Sequence, residues 1–373
     1  VRAATGNVVL VGGGHTHVQV IAAFGSRPEP GLTLTLVTDQ LQSPYSGMLP
    51  GHVAGLYRHD EMHIDLVALA AATGTRLVHA RATGVDSARK LILCEDRQPI
   101  AYDITSLNVG ITPDLASIAG ADVHGIAVKP IGSFLSRFEG LSGRGGPRRI
   151  AIVGNGAAGV ELAFALKARL QDGQQAGTPC EIVLIGSGPV VEKLNPGIRR
   201  RVERALDRHG IERRDGLRVI GVEPNAVATA CGQRFAADAT LISTRAKVPP
   251  WLAATGLPLG PNGFIATRTT LQVSGETHLF AVGDCAEIIG HPREKAGVYA
   301  VRQGPVLARN IRRLWQGTTL EPHHPQADYL VLLGTGDGSA IGGRGRWLAF
   351  EGRWAWRLKD WIDRRFMARF TGR

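Results

Sequence analysis

The residues best suited to chemistry in this 373-residue chain are two sets of glycines, far apart, each behind a short apolar run. The first lies in Val8-Val9-Leu10-Val11-Gly12-Gly13-Gly14-His15-Thr16-His17. The second lies in Ile150-Ala151-Ile152-Val153-Gly154-Asn155-Gly156-Ala157-Ala158-Gly159. Gly12, Gly14, Gly154, Gly156 and Gly159 let the backbone turn tightly where a helix begins. A helix N-terminus presents free N–H groups to a pyrophosphate, so the pattern reads as a dinucleotide site. Two such turns predict two dinucleotides side by side, a flavin and a nicotinamide.

Parallel strands must hold those turns. Strand Val8–Val11, a helix from about His15 to Phe24 and strand Leu32–Val37 form the first β-α-β unit. The turn-rich Pro44-Tyr45-Ser46-Gly47-Met48-Leu49-Pro50-Gly51 follows, then a helix over 64–72 and a hairpin from Arg76–Val85 into Lys90–Cys94. Ser106-Leu107-Asn108-Val109-Gly110 closes the first half as a strand. Gly-Arg-Gly-Gly-Pro at 143–147 reads as a turn into the second unit, which repeats the first: strand 149–153, helix 157–170, strand 181–185, helix 196–209 and strand 217–222. Leu241–Ser243 is expected to return the chain to the first unit. A helix from about Lys295 to Trp315, short strands at 328–333, 339–342 and 346–350, and a final helix Arg353–Phe370 complete the reading.

The duplicated turn, followed by His278-Leu279-Phe280-Ala281-Val282-Gly283-Asp284-Cys285-Ala286, resembles the pyridine nucleotide–disulfide oxidoreductases, which are two-dinucleotide-binding flavoproteins. The resemblance implies FAD as cofactor and NADH or NADPH as co-substrate. It places Asp284, after Gly283, on the flavin ribityl chain; the plain structural alternative is a turn cap. Lys295 and Ala296 open the helix whose positive end faces the flavin, and Lys295 adds charge that stabilises the reduced ring. A surface lysine is the alternative. His15, Thr16, His17, Thr38, Asp39, Ala82 and Gly110 complete the implied flavin site. Glu161 either reaches the nicotinamide carboxamide or is a first-turn acid favoured by the helix dipole. Ser187 stands at the nicotinamide ribose. Lys295 and Glu161 are the catalytic candidates, and no metal ligand set is expected.

The implied fold is α/β, with two Rossmann-like dinucleotide-binding domains and a small C-terminal α+β region. Residues 1–120 and 256–325 are expected to form one flavin-binding domain. The nicotinamide domain takes 121–255, and 326–373 supply C-terminal strands and an amphipathic helix.

Departures from the pattern carry information. His17 stands where the third glycine is usual, which is expected to keep helix and strand further apart. Thr38, with Asp39 next to it, replaces the acid at the flavin ribose, and Gly186-Ser187 leaves the nicotinamide half with no acid there. The usual preference for NADH over NADPH is thereby lost. Lys193 and Arg199–Arg201 are either partners for a 2′-phosphate or a solvated basic face. Cys94, Cys180, Cys231 and Cys285 form no pair of the kind disulfide reductases use, and none lies beyond Cys285 for sulfide:quinone chemistry. Electrons are therefore expected to pass directly from flavin to acceptor, as in type II NADH dehydrogenases.

A narrower likeness rests on Val11-Gly12-Gly13-Gly14-His15-Thr16-His17-Val18, the Pro44–Gly51 string, and Lys359-Asp360-Trp361-Ile362-Asp363-Arg364-Arg365-Phe366-Met367. These are similar to the flavoprotein branch found fused ahead of selenide, water dikinase or standing alone. The chain is expected to be the stand-alone form. The resemblance implies an NAD(P)H oxidoreductase acting on a quinone or other small acceptor. Alternatives are a soluble reductase of a selenium, sulfur or other oxidised compound, and a low-turnover flavin-binding redox sensor.

Composition sets the remaining bounds. Apolar content of 44% with 20% charged residues fits a globular protein, and 48 glycines suit backbone that must approach cofactors. The net charge of +11 lacks any nucleic-acid motif beside it, so phosphates of dinucleotides or an anionic membrane are the expected counterpart. No leader or spanning segment is expected, and scattered cysteines favour a cytoplasmic setting. Helix 353–370 sets Trp354, Leu358, Trp361, Ile362, Phe366 and Phe370 on one broad face, and residues 344–373 hold nine Arg/Lys against three Asp/Glu. That pattern suits either peripheral contact with the inner face of the membrane or packing on the protein's own sheet. Homodimers accompany the resemblance, although no residue marks an interface.

Overall fold

The computed structural model describes residues 5–141, 147–172, 180–244 and 246–370. Residues 143–146 of the expected turn lie outside them. Two parallel sheets organise the chain. In the first half, β1 (Gly6–Val11), α1 (His15–Ser26), β2 (Leu32–Thr38), α2 (Leu66–Thr73), β3 (Arg76–His79) and β4 (Ile104–Leu107) follow in order. The second half supplies β5 (Gly125–Ala127), β6 (Arg149–Val153), α3 (Ala157–Asp172), β7 (Glu181–Ile185), α4 (Pro196–Arg208), β8 (Glu212–Arg214) and β9 (Ala239–Ile242). The chain then gives β10 (Leu279–Ala281) and α5 (Gly297–Trp315).

The first sheet runs β10-β4-β1-β2-β3 and the second β5-β9-β6-β7-β8. Val8–Val11 of β1 are essentially unexposed, because a parallel strand covered on both faces reads as a continuous apolar run. Local signals set several helix ends. Asp65 caps α2 by accepting from the Val67 and Ala68 N–H groups, and Gly74 ends it in the left-handed region. Asn195 caps α4, with Pro196 at its first turn.

Two strand expectations are corrected. Residues 239–242 do not leave the second unit: β9 lies between β5 and β6, pairing Ile152 with Leu241. Its four residues are all buried, as a central strand requires. The fifth parallel strand is β8 rather than 217–222. The latter region forms Val219–Glu223, one edge of a separate three-stranded antiparallel sheet, with Val219 and Val222 buried on either side of a register shift.

The C-terminal region is a three-stranded antiparallel sheet of β11 (Val331–Gly334), β12 (Ala340–Arg344) and β13 (Leu348–Gly352), followed by α6 (Arg353–Met367). The expected broad face of α6 is divided between the interior and the surface. Ala355, Lys359, Asp363, Phe366 and Met367 face inward, with Phe370 beyond the helix end, while Trp354 and Trp361 are 54% and 56% exposed. A buried lysine–aspartate pair displaces the tryptophans from the inward stripe. Among the described residues, no helix is long and apolar enough to cross a membrane.

Candidate functional site

The first glycine turn leaves β1 at Gly12, whose φ of +91° favours glycine. A Cβ there would lie 2.4 Å from the Asn108 carbonyl oxygen, so β4 can approach only a glycine. Gly14 caps α1, and the first N–H with an acceptor in the helix is that of Val18, donating to Gly14 O at 3.2 Å. The N–H groups before it lie at the free, positive end of the helix.

His17 resolves the missing third glycine. Its side chain is fully buried between α1 and β4. Nδ1–H donates to Gly12 O at 2.7 Å, and Nε2 lies 2.8 Å from Ser106 Oγ. A carbonyl only accepts, so Nδ1 carries the proton and Nε2 accepts from the serine hydroxyl. Burial lowers its pKa to about 4, keeping the ring neutral. Through these two hydrogen bonds the ring ties the turn to β4.

Gly283 begins the turn after β10 with φ of +68°, and its N–H donates to Gln303 Oε1 of α5 at 2.7 Å. Next to it, Asp284 receives Lys129 Nζ at 2.6 Å. Burial opposes its charge, yet Lys129, Lys295 and His15 together hold the carboxyl below its ordinary range. Thr16 Oγ1 donates to Ala300 O at 2.7 Å, and Gln19 Nε2 to Val301 O at 2.7 Å, binding α1 against α5. The starts of two helices, Asp284 and Lys129 thus converge.

Asn108 lies at the centre of this convergence. A Cβ on Gly14 or Gly283 would lie 2.6 Å and 2.5 Å from its side-chain amide. The residue is buried, and its Nδ2 has no hydrogen-bond partner among the described residues. A buried orphan donor beside free helix N–H groups suits an anionic diphosphate, so these residues fit the FAD that the glycine pattern implies. Sequence reasoning missed Asn108 and Lys129. A polar residue ending an apolar strand was the available signal for the first.

The remaining flavin-site candidates are spread along the sheet edge. His15 donates from Nε2 to Pro44 O at 3.2 Å and meets Tyr45 edge-on, with ring centroids 5.2 Å apart. Thr38 Oγ1 donates to Gln40 O at 3.1 Å. Asp39 pairs with Arg81 at 3.5 Å, next to buried Ala82 at the start of a short antiparallel strand. Gly110 has φ of +71° and nothing within 4 Å of its missing Cβ. Ala296 caps α5, while Lys295 donates to Ala286 O at 2.5 Å and stands over the Phe264 ring at 3.8 Å. Burial lowers its pKa.

In the second unit Gly154 has φ of +114°, and a Cβ there would meet Ser243 O at 2.3 Å. The space at Gly156 is open, and a Cβ on Gly159 would strike Gly154 O. Ser187 is exposed beyond β7. Glu161 faces the C-terminal sheet, accepting from the Gly334 N–H at 2.9 Å. Burial raises its carboxyl to about 7, against the pull of Lys359 and the Gly334 N–H. Lys359 in turn donates to Gly47 O at 2.5 Å and pairs with Asp363 at 2.7 Å. Glu161 therefore sits where α3, β11 and α6 meet the 44–51 loop.

All four cysteines are free. Cys285, nearest the Asp284 turn, is buried, and burial pushes its thiol up to about 11, far from a thiolate. Among the described residues no group of three or more His, Cys, Asp or Glu could hold a metal ion.

The chain is similar to known proteins in sequence and in fold. The NADH dehydrogenase-like protein YutJ of Bacillus subtilis is 22% identical over 330 residues, covering 88% of this chain and 89% of its own. Demethylphylloquinone reductase NdbB of Synechocystis is 26% identical over 302 residues, covering 76% and 73%. The structure of NDH2 from Plasmodium falciparum superposes with a TM-score of 0.80 at 13% identity, covering 99% of both chains, which establishes a shared fold. The sequence pattern of the pyridine nucleotide-disulphide oxidoreductases matches residues 6–305, and the chain belongs to that family of oxidoreductases.

Proposed function

We propose that this chain is an FAD-dependent NAD(P)H dehydrogenase that delivers electrons, without a redox disulfide, to a quinone or quinone-like small acceptor. The observation that carries the reading is the pairing of two glycine turns, each on its own parallel sheet, with a buried, unreactive cysteine beside the first. Similarity to a demethylphylloquinone reductase supports the choice of acceptor.

A bound FAD supplies two-electron exchange between a reduced nicotinamide and the acceptor. The Gly12–Gly14 turn and Asn108 Nδ2–H hold its diphosphate, with Thr38 and Asp39 toward the adenosine side. Asp284, its charge supported by Lys129, would accept from a ribityl hydroxyl of bound FAD. Lys295 and the start of α5 would supply positive potential toward the ring. The Gly154–Gly159 turn and Ser187 hold the nicotinamide coenzyme. Glu161 turns from Gly334 toward the carboxamide or takes part in joining the C-terminal sheet to α3.

The acceptor side lies under α6. Trp347, Leu348, Trp354 and Trp361 are exposed on that region, among Arg344, Arg346, Arg353, Arg357 and Arg365. Aromatic side chains ringed by arginines suit the interface of an anionic membrane, from which a quinone is drawn. The test is anaerobic addition of NADH or NADPH to purified protein, followed by a short-chain quinone. Loss of flavin absorbance and its return on quinone addition is the expected result. A spectrum unmoved by both coenzymes rejects the proposal.

A further inference from the structure

We propose that Asp215 is the carboxylate that reads the adenosine ribose of the coenzyme, and that it makes this chain selective for NADH over NADPH. The inference rests on the reading of the second glycine turn as the nicotinamide site.

In a dinucleotide fold an acid at the end of the second strand accepts from the ribose 2′-hydroxyl and repels a 2′-phosphate. Here that position is Gly186, directly after β7. The reason for glycine is steric. A Cβ at 186 would lie 2.0–2.2 Å from the side-chain amide atoms of Asn155. Asn155 is the middle residue of the Gly154-Asn155-Gly156 turn, and its amide occupies the space an acidic side chain needs.

That amide points to the replacement. Asn155 Nδ2 donates one hydrogen to Gly188 O at 2.6 Å and the other to Asp215 Oδ1 at 2.8 Å. Asp215 directly follows β8, the neighbour of β7. The Gly186 N–H donates to Arg214 O at 3.0 Å, and the Leu217 N–H donates to Gly186 O at 2.8 Å, so Asp215 lies across from Gly186 at the same end of the sheet. A carboxylate missing from one strand is presented by the next, steered by a residue of the glycine turn.

Local charge gives the selectivity its sign. Arg213 is the nearest cation, 3.7 Å from Asp215, but it also pairs with Glu203 at 3.4 Å and Asp207 at 4.0 Å. One guanidinium among three carboxylates leaves the site negative. Among the described residues no other Arg or Lys pairs with Asp215. Arg199 donates to Glu192 O at 2.7 Å, Arg201 to Gly197 O at 3.0 Å, and Arg214 pairs with Glu212. A 2′-hydroxyl finds an acceptor here, whereas a 2′-phosphate dianion finds repulsion.

The experiment is a fluorescence or calorimetric titration of the flavin-loaded protein with NAD+ and NADP+, on wild type and Asp215→Asn. Matching flavin spectra and melting temperatures establish that the variant is folded. Wild type is expected to bind NAD+ roughly tenfold or more tightly than NADP+, and the variant to bring the two within about threefold. Equal or tighter NADP+ binding by wild type, or an unchanged ratio in the variant, overturns the assignment while leaving the dehydrogenase reading intact. Absence of binding by either coenzyme overturns both.

Discussion

Lys359 and Asp363, one helical turn apart on α6, form an ion pair of 2.7 Å in which each side chain is only 7% exposed. Lys359 also donates to Gly47 O, and burial, joined by the charge and a hydrogen bond of Asp363, raises the pKa of the Tyr45 hydroxyl. The pair thereby fastens α6 to the loop bordering the first glycine turn. A buried pair adds little over a well-packed apolar one, but breaking it strands a charge. Lys359→Met or Asp363→Asn should each cost about 3–5 kcal/mol in urea unfolding. The double variant Lys359→Met with Asp363→Leu should recover most of that loss. A double variant as unstable as the worse single one contradicts this account.

His17 ties stability to pH in a definite direction. Its folded pKa is about 4 against an ordinary 6.5, so the unfolded chain binds more protons in between. Its contribution is complete above 6.5 and is lost as pH falls through 4, on the order of 2–3 kcal/mol. Glu161, raised to about 7, acts with the opposite sign: its protonated form favours folding, and the benefit fades as pH rises from 4.5 through 7. Melting curves of His17→Asn against wild type separate the two. The stability difference between them should change between pH 4 and 6.5 and stay flat above 7.

Both glycine turns were legible in the sequence because their signal is local: apolar strand, tight turn, helix start. The partners that complete them were not. Asn108, Lys129 and Asn155 act across 96, 155 and 60 residues, toward Gly12, Asp284 and Asp215 respectively, and a single sequence does not display contacts at that range. Leu241–Ser243 was assigned to the wrong unit for a related reason, since a short run of this kind fits either parallel sheet until its partners are known. On α6 the sequence leaves the broad face open between packing and membrane contact, and the structure divides it: Phe366 and Phe370 are buried beside Lys359 and Asp363, whereas Trp354 and Trp361 are more than half exposed.

Flavin retention tests the Asp284 cluster. Lys129 offsets the burial that disfavours the Asp284 charge, so Lys129→Met should weaken FAD binding as Asp284→Ala does, though less severely. Asn108→Ala removes the orphan Nδ2–H at the glycine turn without placing new atoms there. Each change should lower the ratio of visible flavin absorbance to protein absorbance after dialysis, by roughly tenfold in affinity for the loss of one charged hydrogen bond. Circular dichroism serves as the folding check. Full flavin content in Asn108→Ala would remove that residue from the site.

The exposed tryptophans make the final prediction. Trp347 is 89% exposed, Leu348 53%, and Trp354 and Trp361 more than half exposed. Arg346 stands 5.9 Å from the Trp347 ring centroid and Arg365 5.2 Å from that of Trp361, so two of the three tryptophans have a cation beside them. Apolar surface of this kind costs free energy in water and is stabilised at a headgroup boundary, while the arginines draw anionic lipid. Replacing all three tryptophans by serine should leave the melting temperature nearly unchanged, because surface substitutions of this type fall within about 0.5 kcal/mol. Co-sedimentation with vesicles rich in anionic lipid should drop sharply, and wild-type binding should weaken with added salt. If the triple variant pellets as fully as wild type, then the face built by α6 and the strand before it is not the membrane contact, and the arginines alone must be tested.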